Sequence, residues 1–258
     1  MDFTALHYQA SPLLLANVWD ASSARAAAQA GYQALGTSSA AIATMLGYAD
    51  GESLTFEELY FMVCRIRAAS TLPLNVDMES GYAETPDGVV ENLLRLAALG
   101  VVGVNLEDSR VRNGKRELED AALFANRLQS IRKGLTAQSC TLFLNIRTDP
   151  FLLGLANARE ETLTRTMRYA EHGADGIFVP CVTHPDDIAA IVNQTSLPLN
   201  VMAVPVLPDF AQLGKLGVRR ISMGNALHCA IQNRLNELLL TLRQQQSFTG
   251  VFADENHR

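Results

Sequence analysis

The sequence predicts an α/β protein in which eight parallel strands alternate with eight helices and close into a (β/α)₈ barrel. Three short apolar runs, 72–80, 102–110 and 142–150, each read as a strand that ends in charged residues. Strands this apolar must be covered on both faces, which is typical of a parallel sheet. The length of 258 residues matches one such barrel, so we expect a single domain over 1–258.

The rest of the chain keeps the same alternation. Short apolar runs predict strands at 13–19, 34–38, 72–79, 102–108, 142–148, 176–181, 197–203 and 220–225. Helical periodicity between them predicts helices at 21–29, 56–69, 86–99, 118–133, 161–171, 185–193, 210–216 and 226–243. A doubly wound open sheet would alternate similarly, but neither GxGxxG nor GxxxxGK[ST] follows a strand, which favours the barrel.

Composition narrows the class of protein. The net charge of −6 and the pI near 5.4 argue against nucleic acid or an anionic membrane as the main partner. The first twenty residues lack a basic segment, and their apolar stretch 13–19 is too short to span a bilayer, so we expect a cytoplasmic protein. The four cysteines are widely spaced, which argues against zinc and against a disulfide framework.

Charged residues stand at the carboxyl ends of three predicted strands. They are Asp77, Glu79, Glu107, Asp108 and Arg147. In a parallel barrel these strand ends share one face, so we expect the five side chains to converge on one mouth. Clustered carboxylates repel one another and are costly to desolvate, which indicates a divalent cation or a catalytic task. The pattern therefore predicts an enzyme.

Two of these acids have the spacing of metal ligands. Asp77 and Glu79 are two residues apart, so a regular strand would point both carboxylates the same way. Such oxygen ligands suit Mg²⁺, with Mn²⁺ as the alternative. We assign Asp77 as the direct ligand and expect Glu79 and Glu107 to hold metal-bound water. The alternative is that Asp77 and Glu79 are solvated at a strand end.

Arg147 ends an apolar strand, where an unpaired guanidinium would be costly. Pairing with Glu107 or Asp149 would satisfy it structurally, and a bidentate grip on a substrate carboxylate would satisfy it functionally. The two arrangements can coexist.

Two polar loops complete the candidate site. Ser38 and Ser39 could offer hydroxyl and backbone N–H groups to an anion. Lys115 and Arg116 belong to a basic loop, 109–118, beside the proposed metal site. This loop is either a mobile cationic lid that closes over an anionic substrate or a solvated basic segment. Without a GxSxG motif, acyl transfer is rejected.

Two further aspartates lie near predicted strand ends. Asp50 follows the second strand in a glycine-flanked loop, where its expected role is that of a turn residue. Asp20 ends the first strand, and we expect it to cap the following helix.

Four segments in this order resemble the isocitrate lyase/phosphoenolpyruvate mutase superfamily: LGTSSAAIATMLGYADGE, LPLNVDMESGYA, GVNLEDS and LNIRTD. The resemblance runs from NVWDASSAR to ISMGNAL, nearly the whole chain. It implies a (β/α)₈ barrel, commonly in a dimer of dimers that exchange the eighth helix, here about 226–243. It also implies Mg²⁺ and a small anionic 2-oxo acid whose C–C or P–C bond at C3 is made or broken.

The resemblance assigns roles to individual residues. Ser38 and Ser39 would bind the substrate carboxylate, and Arg147 would clamp the oxyanion or carboxylate. Asp77 would hold the metal, while Asp50 would join Glu79 and Glu107 in holding its waters. The shared intermediate is the enolate of pyruvate, whose charge the chelated metal absorbs as a Lewis acid.

The sequence of the predicted lid differs from that of the best-known members of the superfamily. Isocitrate and methylisocitrate lyases carry K-[KR]-C-G-H, whose cysteine handles the proton, whereas this chain has VRNGKREL. The chain therefore resembles a short branch of the superfamily with a reduced lid. We expect a Mg²⁺-dependent lyase or decarboxylase of a small 2-oxo or 2-hydroxy dicarboxylate, in a homo-oligomer (dimer or tetramer).

Two alternatives to this function stay open. The first is P–C chemistry, as a phosphonopyruvate hydrolase or phosphoenolpyruvate mutase, because oxaloacetate and phosphonopyruvate are nearly isosteric at the reacting end. The second is a metal-dependent binder of 2-oxo acids with little turnover, since the reduced lid supplies no evident proton donor.

Overall fold

Strands and helices alternate along residues 2–51 and 53–252, which the computed structural model of the chain describes. The strands are β1 (Leu13–Leu14), β2 (Ala16–Val18), β3 (Leu35–Thr37), β4 (Leu74–Asp77), β5 (Gly103–Glu107), β6 (Ser109–Arg112), β7 (Lys115–Leu118), β8 (Phe143–Arg147), β9 (Gly176–Val179), β10 (Leu199–Met202) and β11 (Arg220–Ser222). The α-helices are α1 (Ala21–Gln29), α2 (Ser39–Leu46), α3 (Phe56–Ala69), α4 (Pro86–Ala98), α5 (Ala121–Ala137), α6 (Ala158–Glu171), α7 (Pro185–Gln194), α8 (Phe210–Lys215) and α9 (Ala226–Gln245).

The parallel strands form a nearly closed barrel, which confirms the predicted fold. Their order is β1-β11-β10-β9-β8-β5-β4-β3-β2. The predicted first strand is divided at Leu15 into β1, which pairs with β11, and β2, which pairs with β3. One continuous segment therefore joins the two ends of the sheet, with the Leu15 N–H donating to Ile221 O and the Ala16 N–H to Ala34 O.

Two parts of the chain differ from the prediction. Residues 39–46, expected as part of a loop, form α2, because the Ser38 hydroxyl caps its first turn and Gly47 ends it in the left-handed conformation. The basic loop is the antiparallel hairpin β6–β7. The following helix consequently begins at residue 121 rather than 118, after Asp120, whose carboxylate accepts from two backbone N–H groups.

Helix caps set where several helices begin. Asp20 and Ser23 form a capping box at the start of α1, as expected of Asp20. Thr85 caps α4 ahead of Pro86, which suits the first helical turn because proline has no N–H to lose there. These caps fix the ends of the helices that cover the sheet.

The inside of the barrel is polar, although every strand lies in an apolar run. Along β4 the apolar side chains Leu74 and Val76 pack in the core with the helices, and the alternate residues face inward. Below the mouth these inward positions carry a buried layer of amides around one guanidinium: Asn75, Asn105, Asn145, Asn200 and Arg220. We call this set the asparagine layer.

Helix α9 is barely covered by its own chain. Its exposed apolar side chains include Leu227, Ile231, Leu235 and Leu239, which recur every four residues and so share one stripe. Among the described helices, none combines the length and the apolar character needed to cross a membrane.

Candidate active site

The carboxyl ends of the strands surround a cavity of about 400 Å³. Its lining includes six of the nine residues predicted for the site: Ser38, Ser39, Asp50, Asp77, Arg116 and Arg147. These residues come from five separate places in the sequence, so the barrel topology is what brings them together.

Asp77 presents one oxygen that the described residues leave unpartnered. The Ser39 hydroxyl donates to Asp77 Oδ2 over 2.7 Å, and the Asp77 backbone N–H donates to the Thr37 hydroxyl over 2.8 Å. These bonds hold the side chain in one orientation. Asp77 Oδ1 is buried and has no hydrogen-bond partner in the described part of the chain. A buried, unpaired carboxylate oxygen is costly, so this atom fits a cation ligand.

Arg147 is paired on two sides. Its Nε and Nη2 donate to the two oxygens of Asp149 over 2.7 and 3.0 Å, and its Nη1 lies 2.8 Å from Glu107 Oε2. Burial lowers the pKa of Arg147, but the Glu107 and Asp149 carboxylates outweigh it and raise that pKa well above its ordinary value. Burial raises the pKa of Glu107, and Arg147 opposes the rise. The guanidinium therefore stays charged.

Arg116, on the β6–β7 hairpin, contacts the Glu107 and Asp149 carboxylates that also pair with Arg147. Its Nη1 pairs with Glu107 Oε1, donates to the Ser109 hydroxyl over 2.8 Å, and lies 3.5 Å from Asp149. Its Nη2 lies 3.7 Å from Asp50, on the loop after α2. The predicted basic loop is therefore ordered over the mouth, with one guanidinium joining three segments.

The loop after α2 also packs tightly on the hairpin. A Cβ atom on Gly51 would lie 2.3 Å from a methyl group of Val111, and the φ angle of Gly51 is +104°. Only glycine fits both conditions, so this close approach is specified by the sequence.

Lys115 is not brought to the cavity. It is exposed beside the hairpin turn, opposite Arg112, and it is absent from the cavity lining. Side chains alternate along β7, so Arg116 faces the mouth while its neighbour faces away.

Glu79 lies beside the main cavity rather than in its lining. Strand β4 ends at Asp77 and Glu79 has a φ angle of +45°, so the alternation that would have aligned the two carboxylates stops there. The Tyr82 hydroxyl donates to Glu79 Oε1 over 2.7 Å. Glu79 and Glu107 instead line an adjacent cavity of about 140 Å³ under the hairpin.

The expectation that all five strand-end charges meet at the mouth is wrong for Asp108. It is fully buried on the outer face of the barrel, since consecutive strand residues alternate. Its Oδ2 accepts from Arg165 Nη1 at 2.9 Å, the Tyr169 hydroxyl at 2.7 Å and the Thr148 hydroxyl at 2.6 Å. Asp108 therefore anchors α6 to the end of β5.

The start of α2 supplies donors to the cavity. Ser38 accepts from the Ala41 N–H as the helix cap, and Ser38, Ser39 and Ala40 all line the cavity. The first N–H groups of a helix lack partners within the helix and favour an anion. This placement suits the predicted role of Ser38 and Ser39 in binding a carboxylate.

Several lining residues were missed in the sequence. Among them are Asn17, Asn105, Phe178 and Met202, each at the end of a strand or within it. Asn105 carried a readable signal, because it stands two residues before Glu107 and so shares its inward face. Asn17 also carried a signal, since asparagine is uncommon in strands and this one interrupts an apolar run. Phe178 and Met202 are apolar residues in apolar strands and gave no signal.

The donor set fits a metal held by few protein ligands. No group of three or more His, Cys, Asp or Glu side chains among residues 2–51 and 53–252 forms a ready metal cluster. Mg²⁺ is often bound by one or two carboxylates, with water and substrate oxygens completing its shell. Asp77 Oδ1 fits the direct ligand, and the exposed Asp50 carboxylate is placed at the same cavity.

The fold and this mouth define a (β/α)₈-barrel enzyme whose strand-end acids and arginines surround one small cavity. The phosphoenolpyruvate phosphomutase family model matches residues 3–242. The chain belongs to that family, in agreement with the resemblance of its four sequence segments.

Individual relatives cover most of the chain. A Mycobacterium tuberculosis protein described as uncharacterized is 34% identical over 234 residues, covering 89% of this chain and 84% of its own. Oxaloacetate decarboxylase of Pseudomonas entomophila is 31% identical over 221 residues, covering 83% and 74%. The crystal structure of a putative phosphonomutase from Burkholderia cenocepacia superposes with a TM-score of 0.86 at 39% identity, covering 92% and 97%.

Proposed function

We propose that the protein is a Mg²⁺-dependent lyase or decarboxylase that acts on a small 2-oxo or 2-hydroxy dicarboxylate through a pyruvate enolate, with oxaloacetate as the first substrate to test. The observation that carries the proposal is Asp77 Oδ1, which has no hydrogen-bond partner among the residues that the structure describes and shares one cavity with Arg147 and the α2 N-terminus. The named activity of the Pseudomonas relative supports the same reaction class.

The charges around the cavity support a divalent cation. Four carboxylates line the cavity or contact its arginines: Asp50, Asp77, Glu107 and Asp149. They face the guanidiniums of Arg116 and Arg147, with Arg220 buried beneath. The arginines are therefore already neutralised, and a dianionic substrate would meet a surplus of negative charge. A divalent cation at Asp77 would reverse that balance.

The chain's own residues would hold and orient the substrate. The α2 N-terminus, with Ser38 and Ser39, would bind one carboxylate. Arg147 has five N–H donors, and its contacts with Asp149 and Glu107 engage three of them, so donors remain for a substrate oxygen. A bound Mg²⁺ would supply Lewis-acid stabilisation of the charge that develops as the bond to C3 breaks.

The ordered hairpin would control water at the mouth. Arg116 ties β7 to Glu107 beneath it and to the Asp50 loop beside it. Movement of the hairpin would admit the substrate, and its return would exclude water from the enolate. We assign no role in the reaction to Lys115.

Carbon–phosphorus chemistry is the second candidate. It is favoured by the 39% identity to the putative phosphonomutase over nearly the full length of both chains. A phosphonate and a carboxylate present similar anionic oxygens, and the cavity residues named above would accept either.

The test is a substrate panel with Mg²⁺: oxaloacetate, phosphonopyruvate, methylisocitrate and substituted malates. Pyruvate would be followed with a coupled dehydrogenase and phosphate would be assayed separately. Each rate would be compared with an EDTA-treated sample and with Asp77→Asn, and Asp87→Asn on the exposed first turn of α4 is the matched control.

EDTA-sensitive pyruvate release from oxaloacetate or a malate, lost in Asp77→Asn and kept in Asp87→Asn, supports the lyase. Phosphonopyruvate turnover that releases phosphate, or that forms phosphoenolpyruvate, supports the second candidate instead. Calorimetric binding of oxalate with Mg²⁺ but no turnover would identify the binder. Activity that survives in Asp77→Asn would refute the proposed role of that carboxylate.

A further inference from the structure

Asn105 is a buried amide at the floor of the cavity. It lies on β5, has 7% of its surface exposed and lines the cavity. It is the register partner of Asp77 on the neighbouring strand, so both side chains face into the barrel beside each other. Which end of its amide faces the cavity is set by the asparagine layer.

Arg220 fixes one side of this layer. Its Nη1 and Nη2 donate to Asn75 Oδ1 and Asn105 Oδ1, each over 3.3 Å. A guanidinium can only donate, so the two amide oxygens must face it. Asn75 Nδ2 consequently points the other way, and it donates to Asn105 Oδ1 over 3.1 Å.

A backbone carbonyl fixes the other side. Asn200 Nδ2 donates to Val201 O over 2.7 Å, and a carbonyl can only accept. The Asn200 oxygen is therefore turned toward Asn145, whose Nδ2 donates to it over 3.2 Å. The same Asn145 nitrogen donates to Asn105 Oδ1 over 2.9 Å.

These constraints converge on Asn105. Its oxygen accepts from Asn75, Asn145 and Arg220, and a flipped amide would place N–H groups against all three donors. Its Nδ2 has no hydrogen-bond partner within the described residues, and the side chain lines the cavity. The amide is therefore locked with a donor toward the space beside Asp77.

We propose that Asn105 is a specificity-determining residue whose Nδ2 donates a hydrogen bond to an acceptor oxygen of the substrate, on the group held beside Asp77. This inference rests on the proposed function, because it takes that group to be the carboxylate or 2-oxo oxygen of a small acid. A donor that the protein fixes at the cavity floor without using it penalises any ligand that places an apolar group or a second donor against it.

The test separates binding of the metal from binding of the acid. Asn105→Asp is isosteric and keeps an oxygen for the three donors of the layer, but it replaces the free donor by an acceptor. Asn200→Asp is the matched control, since it adds the same charge to the same layer outside the cavity lining, keeps an oxygen for Asn145 and leaves the three donors to Asn105 in place. Calorimetry would measure Mg²⁺ alone and then oxalate in saturating Mg²⁺, for both variants and the parent protein.

We expect Asn105→Asp to bind Mg²⁺ at least as tightly as the parent protein and to bind oxalate at least tenfold more weakly. Asn200→Asp should bind oxalate within about threefold of the parent protein, because Asn105 keeps all three of the donors that orient its amide. The kcat/KM for oxaloacetate should fall in Asn105→Asp by at least tenfold as well.

Three results would overturn the inference. One is unchanged oxalate binding in Asn105→Asp while the parent protein releases pyruvate, which leaves the proposed function standing. Another is equal weakening in both variants, which would assign the effect to added charge. The third is a parent protein that neither binds oxalate with Mg²⁺ nor releases pyruvate, which removes the proposed function together with the inference.

Discussion

Replacing Arg165 by methionine should destabilise the barrel strongly, because it leaves a buried carboxylate without its cation. Asp108 is 0% exposed, and Arg165 Nη1 lies 2.9 Å from its Oδ2. Burial lowers the pKa of Arg165, but Asp108 outweighs it and raises that pKa above its ordinary value. Methionine keeps most of the side-chain volume, so the loss measured is electrostatic rather than that of a cavity.

The expected magnitude follows from what remains around the carboxylate. Removing one partner of a buried ion pair costs about 3–5 kcal/mol. Asp108 keeps the Tyr169 and Thr148 hydroxyls and the Asp149 N–H, so we expect a value near the lower end of that range. For a chain of this length, about 3 kcal/mol lowers Tm by roughly 6–12 °C.

Urea unfolding would measure the change in the free energy of unfolding at constant m-value. The control is Arg159→Met on the same helix, whose guanidinium is 45% exposed and 3.5 Å from Asp187, so its loss should cost below about 1 kcal/mol. The double variant Asp108→Asn/Arg165→Met should be more stable than Arg165→Met, since it leaves no unpaired charge. Equal destabilisation by Arg165→Met and Arg159→Met would refute the reasoning.

Three further predictions concern the hairpin, the N-terminal turn and helix α9. Arg116→Gln should lower kcat/KM at least tenfold, because the arginine side chain contacts Glu107. Lys115→Gln should change kcat/KM less than threefold. Steady-state kinetics of the two variants would show whether only the inward-facing residue contributes to the reaction. His7 is buried against Phe143, and burial is the main cause that lowers its pKa from 6.5 to about 4. Between pH 7 and pH 5 the unfolded state takes up a proton that the folded state does not, so the free energy of unfolding falls by about 2 kcal/mol. His7→Phe should lack this loss, which urea midpoints at the two pH values would measure. We expect a second subunit to bury the apolar stripe on α9. Leu235→Asp should therefore reduce the mass measured by light scattering, whereas Asn233→Asp on the opposite face should not. An unchanged mass in Leu235→Asp would contradict this interface.

The barrel and three of its charged strand ends could be predicted from the sequence, because both depend on repeated local patterns. Apolar runs alternate with helical periods, and parallel strands end on one face. Asp77, Glu107 and Arg147 each stand at such an end, and the structure brings them together as expected. The pairing of Arg147 with both Glu107 and Asp149 was one of two arrangements left open, and the structure shows it beside a cavity.

Other features needed information that a strand pattern does not carry. Glu79 takes a positive φ angle just past the end of β4, which no spacing rule reveals. Asp108 faces outward because it directly follows Glu107, and this alternation could have been applied to it. The hairpin also had a signal, since Asn113-Gly114 is the preferred pair for a two-residue turn and both residues have positive φ angles. The density of charge around that pair suggested a loop instead.

Most of the charged side chains at the mouth are paired with one another. Arg147, Arg116, Glu107 and Asp149 satisfy one another, so they define the shape of the cavity but have little net charge left to attract a substrate. A ligand can improve the free energy of the site most where a buried polar atom lacks a partner. For the described residues at the floor of the cavity, Asp77 Oδ1 is such an acceptor. A divalent cation chelated by a 2-oxo acid would satisfy this oxygen and would bring substrate oxygens to the donors around it, which is why metal and substrate are expected to bind cooperatively here.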